Sequence, residues 1–113
     1  MTLAIARVTI FIGGSHSLKE KRMVVRRIKD LVRGKFNVSI AEVGELDVWQ
    51  RAVLGIALVA NEPKFADSAL DEVLRFVRSH VQSGEVVNEE RELQSFGEGA
   101  DALVGPGWKH WEG

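Results

Sequence analysis

Lys19, Arg22, Arg26, Lys29 and Arg33 follow one another at intervals of three, four, three and four residues. On an α-helix that spacing gathers them into an arc of about 80°, opposite the apolar stripe of the same segment. Neighbouring charges then stand roughly 5–6 Å apart, comparable to the phosphate repeat of a nucleic-acid strand. Such a row suits a polyanion, RNA or an acidic protein, with an affinity that falls steeply as salt rises. Charged residues cover any solvated helix face, so the row also has an ordinary explanation. Its composition sets it apart. Lys19 to Lys35 holds eight basic residues and two acids, Glu20 and Asp30, in a chain of net charge −1. Solvated faces usually interleave the two signs.

Gly13-Gly14-Ser15-His16-Ser17 leads into this row. A turn from a strand into a helix N-terminus offers free N–H groups and a dipole that favours an anion. His16, Ser17, Lys19, Lys21 and Arg22 stand around it. The spacing is neither that of a phosphate-binding loop nor that of a dinucleotide fingerprint, and Ser17 has the simpler role of a helix cap. Lys21 is the odd member, because it falls on the apolar side of the helix. Either it snorkels or it points into the turn. His16 has no nucleophile or paired acid beside it, and neither His80 nor His110 shares a ligand spacing with it. No catalytic constellation, metal site or cofactor is expected.

Leu3 to Ile12 alternates as a strand, with Ala4, Ala6, Val8, Ile10 and Ile12 on one face and Leu3, Ile5, Arg7, Thr9 and Phe11 on the other. Ser17 followed three residues later by Glu20 is a capping box. The first helix is expected from about Leu18 to Arg33, stopped by Gly34, with Leu18, Val24, Val25, Ile28, Leu31 and Val32 inward. Phe36 to Val43 reads as a second strand and Gln50 to Ala60 as a third. Asn61 caps a second helix with Pro63 in its first turn, running to about His80 with Phe65, Ala69, Leu70, Val73, Leu74 and Val77 inward. Glu85 to Leu93 is a charged fourth strand suited to a sheet edge. The order βαββαβ, closed by two right-handed crossovers, predicts an α+β ferredoxin-like split sandwich. Its four-stranded antiparallel sheet has the first and third strands in the middle and both helices on one face. Residues 1–94 form this domain, and 95–113 an irregular tail with five glycines, Trp108 and Trp111.

The sheet face away from the helices would carry Ile5 and Phe11 from the first strand and Val53, Ala57 and Val59 from the third. In this architecture that face often stacks RNA bases, but Phe11 is its one aromatic. An apolar face of this kind is better explained as a covered contact, under Trp108 and Trp111 of the tail or under a second subunit. Glu42, Glu45 and Asp47 surround the turn after the second strand, which Trp49 is expected to anchor, with a divalent cation or a partner contact as the other reading. Glu89 to Glu92 reads as a solvated edge. The chain has no cysteine, so disulfides, thiolate metal sites and cysteine nucleophiles are excluded. No apolar run approaches the roughly 18 residues of a membrane helix, and Met1 to Gly13 lacks the basic region of a signal peptide. A cytoplasmic protein without a membrane partner is expected.

Gly14 to Arg22 (GSHSLKEKR) resembles the signature of the YlxP-like family, small bacterial proteins of unknown function. Phe36 to Val43 and Leu46 to Ala52 are similar to its two other typical stretches. The resemblance implies a ferredoxin-like fold over about residues 1–94. Members are often encoded beside translation-initiation and ribosome-maturation genes, which is context rather than mechanism. The expectation is therefore a small binding protein, RNA- or ribosome-associated through its basic helix, and not an enzyme. The alternatives are a homodimeric interaction module docking an acidic partner, and an enzyme acting on a small anion at the Gly13–Arg22 turn.

Overall fold

The computed structural model describes residues 1–97. Six elements follow in the order β1 (Thr2–Phe11), α1 (Leu18–Lys35), β2 (Ser39–Gly44), β3 (Arg51–Ala60), α2 (Pro63–His80) and β4 (Glu85–Ser95). The strands make one sheet in the order β2-β3-β1-β4, every neighbouring pair antiparallel. This is the ferredoxin-like arrangement, with β1 and β3 central. Period-two alternation explains their register, because β1 pairs with β3 without a break from Thr2–Ala60 to Phe11–Arg51. Ala4, Ala6, Val8 and Ile10 thereby share one face with Ala52, Leu54, Ile56 and Leu58. Both helices close over that face and form a single core with it. No described helix is long and apolar enough to cross a membrane.

Several boundaries differ from expectation. Helix α1 passes through Gly34 and ends at Lys35, where the Phe36 N–H donates to the Val32 carbonyl at 2.8 Å. Phe36 then packs edge-on against Phe76 of α2, with ring centroids 5.4 Å apart, and that contact carries the helix past a residue that only mildly disfavours it. Strand β2 begins at Ser39 because half-buried Phe36 and Val38 fill the core edge before the ladder starts. The cap of α2 is Glu62 rather than Asn61, and it makes no side-chain bond. Pro63, at the first helical position, needs no donor there. Phe65 is exposed, and Ala66 takes the buried place one residue on.

Candidate functional site

The capping box forms at the start of α1. Ser17 is extended and its Oγ accepts from the Glu20 N–H at 3.1 Å, while the Glu20 carboxylate accepts from the His16 N–H. Ser15 is buried and donates to the Ser17 carbonyl at 3.0 Å. His16 is exposed. The side chains of this turn are thus spent on organising the helix start.

Lys21 departs most from expectation. It is completely buried, at 0% exposure. With Val25, Ile28 and Val32 it makes up the buried face of α1. Its Nζ donates to the carbonyls of Glu45 at 2.9 Å, Leu46 at 3.1 Å and Arg51 at 3.4 Å. Glu42 Oε2 lies 2.8 Å from the same ammonium and makes no other polar contact, so the pairing is ionic rather than a directed hydrogen bond. A buried ammonium is tolerated only when its protons and its charge are both matched, and here they are. Lys21 therefore has no free valence for an outside phosphate. The turn it enters is the β2–β3 loop, not Gly13–Ser17.

The cationic row lies away from the buried face of the helix. The buried quartet centres about 110° from it at 100° per residue, so the row lies on a flank and not at the crest. Half-buried Lys29 and exposed Arg33 show which flank, since Arg33 Nη2 donates to the Ile40 carbonyl on edge strand β2 at 2.8 Å. Lys19, Arg22 and Arg26 are exposed along the same flank. None of Lys19, Arg22, Arg26, Lys29 and Arg33 meets a carboxylate among the described residues. Off this helix most described arginines are paired, Arg75 being the exception. Arg7 pairs with Glu90 at 2.8 Å, Arg51 with Glu45 at 3.2 Å, Arg78 with Glu89 at 2.7 Å, and Arg91 with Asp67 at 2.7 Å as well as with Asp71. The run Glu89-Glu90-Arg91 lies on a largely exposed edge strand, as expected, and also makes a set of cross-element ion pairs. The hydrogen bond from Arg7, helped by its charge, holds the Glu90 carboxyl below its usual range, and Arg91 does the same to Asp71.

The open sheet face carries the expected residues. Ile5, Val53 and Ala57 are half-buried, Phe11 is exposed, and Val59 is 63% exposed. Gly55 lets Val43 lie over this face, since a Cβ there would come within 2.9 Å of a Val43 methyl. Trp108 and Trp111 lie outside the described residues. Trp49 does not anchor its turn: it is 54% exposed, beside exposed Leu46 and Val48. The sequence signal for this loop was Lys21 itself, a lysine in register with Val25 and Val32, whose partners no spacing rule could name. No described group of acidic and histidine side chains has metal-site geometry.

Fold and site together define a small ferredoxin-like α+β protein with a basic flank that meets no carboxylate among the described residues. The chain belongs to the family described as protein of unknown function (DUF503), matched over residues 3–91. It is 43% identical over 77 residues to the uncharacterized protein YlxP of Bacillus subtilis (strain 168), covering 68% of this chain and 84% of that protein. A de novo designed protein with ferredoxin fold, known from its solution NMR structure, matches with a TM-score of 0.52. That match covers 96% of this chain and 92% of the designed one at 16% identity, a likeness of fold alone.

Proposed function

We propose that the protein binds RNA along the α1 flank formed by Lys19, Arg22, Arg26 and Lys29, with Arg33 at its end. The supporting observation is the contrast in pairing. Arg7, Arg51, Arg78 and Arg91, on β1, β3, α2 and β4, hold carboxylates, with Arg75 and Lys64 as exceptions on α2, whereas the α1 row holds none among the described residues. Four unpaired cations on one flank, next to an edge strand, offer a linear track for phosphates. The test is titration of a single-stranded RNA at several salt concentrations with wild type and R22E/R26E. Wild-type affinity should fall steeply with salt, and the double variant should lose binding while unfolding at the wild-type temperature. Equal binding by both proteins, or none by either, removes the reading.

The open sheet face favours a second reading, a homodimer joined through Ile5, Phe11, Val53, Ala57 and Val59 that docks an acidic protein on α1. Sedimentation of wild type against V59K separates the two. A dimer that V59K splits, together with a nuclease-resistant acidic partner, would support this reading instead.

A further inference from the structure

We infer that the β2–β3 loop is a base-stacking platform, so that the RNA is single-stranded where it passes Trp49; this rests on the RNA reading above. Leu46 is 57%, Val48 42% and Trp49 54% exposed, three large apolar side chains within four residues. Isolated surface apolar residues are ordinary, but a cluster of them marks a contact. A loop free to collapse would fold such a cluster inward, and this one is held from doing so. Lys21 grips the carbonyls of Glu45, Leu46 and Arg51, and the Val48 N–H donates to the Glu45 carbonyl at 3.1 Å. Glu45 adopts a left-handed φ of 51°, and its carboxylate pairs with Arg51 at 3.2 Å. At the far end Gln50 Nε2 donates to the Gly13 carbonyl at 3.1 Å, and the Ile12 N–H to the Gln50 carbonyl at 2.8 Å. The indole is therefore presented by a fixed backbone, and ordering it on binding costs little.

The chemistry of the occupant follows from what adjoins the loop. The residue that grips it, Lys21, belongs to the first turns of α1, so the loop lies against the end of the helix where the cationic row begins, with Lys19 and Arg22 exposed on other sides of the same turns. Cations that follow a backbone beside an aromatic face are the combination that binds single-stranded nucleic acid. A duplex keeps its bases stacked within itself and offers none to an indole. The open sheet supplies Phe11 alone as an aromatic, and the exposed rings of Phe65 and Phe96 follow β3 and β4 at the end of the sheet where Thr2 pairs with Ala60 and Ser95, whereas the loop stands at the Phe11–Arg51 end, where α1 starts.

The test uses the full chain with Trp108 and Trp111 changed to Phe, which leaves Trp49 as the one indole of three. The probes are a short single-stranded oligoadenylate and a duplex RNA of equal length. The single strand should quench Trp49 emission, and the duplex should not. Trp49→Ala should weaken single-strand binding about 5- to 150-fold with the salt slope unchanged, and Trp49→Phe should recover part of the loss. Trp49→Leu keeps an apolar loop without a comparable stacking face and should behave like Trp49→Ala, which separates stacking from loop collapse. If all Trp49 variants bind like wild type and the emission stays constant, the platform is refuted, while a salt-dependent loss in R22E/R26E leaves the α1 reading intact. If no variant binds RNA, both fall. If Trp49→Ala instead splits a dimer and leaves RNA affinity unchanged, the loop is a contact between copies and the inference is overturned.

Discussion

Lys21 crosses from α1 to the β2–β3 loop as a buried cation. Its ammonium serves three carbonyls and one half-buried carboxylate. Lys21→Met fills the space but leaves Glu42 and the carbonyls unmatched. It should cost about 3–5 kcal/mol in a urea unfolding experiment, and K21M/E42L should recover part of that by removing the stranded charge. Gly84 is a second sensitive point. A Cβ there would lie 2.5 Å from the Phe11 carbonyl oxygen, which is backbone and cannot step aside. Gly84→Ala should therefore destabilise by roughly 1–3 kcal/mol in the same experiment. The sequence marks Lys21 as out of place on an apolar stripe, because helical periodicity reports which side of a helix a residue occupies. It does not report what stands opposite, and the partners lie more than twenty residues further along the chain. That is why Lys21 reads as a phosphate ligand in the sequence and proves to be a structural cation in the fold.

Among the elements, β4 shows how charge can fix an edge. Its alternate residues reach to opposite sides of the sheet, Glu89 and Arg91 to α2 and Glu90 to Arg7 on β1. Asp71 and Glu90 have folded-state pKa values below those of the unfolded chain, so the folded form releases their protons more readily. Their contribution is complete above the ordinary carboxylate range and disappears as pH falls through the depressed folded values. Urea midpoints should thus decline on acidification below about pH 4, and Arg91→Met should flatten the part that belongs to Asp71 and bring its carboxyl titration back to the ordinary range by NMR. The elements themselves are the best-predicted part of the molecule. β1, β3 and α2 stand within a residue or two of their expected bounds, because alternation and helical periodicity are properties of the local chain. The misplacements at Gly34 and Phe36 have a single cause, the packing of Phe36 on Phe76, which no local rule contains.

For the whole molecule, the distribution of charge matters more than its sum. A net charge of −1 conceals a flank whose cations meet no carboxylate among the described residues, while the arginines that do meet carboxylates lie on other elements. If Lys19, Arg22, Arg26 and Lys29 all meet phosphates, the logarithm of single-strand affinity should fall against the logarithm of salt with a slope of about −3. Each charge removed should reduce that slope by about 0.7. Titrations of wild type, Arg22→Gln and R22Q/R26Q check this directly. The sequence displayed the row and the signature segment from Gly14 to Arg22. It placed the row away from the apolar stripe, and the structure adds that the row faces the β2 side, where Arg33 reaches the Ile40 carbonyl.

The enclosure of Lys21 also makes it a clock. An amine gripped on four sides cannot be acylated until the β2–β3 segment lets go, whereas Lys19 is open to reagent throughout. Pulse labelling with an amine-reactive ester, followed by mass spectrometry of the peptides, would thus time how often that segment opens. Occupation of the loop by a ligand should slow this labelling, so one lysine reports on local breathing and on occupancy alike.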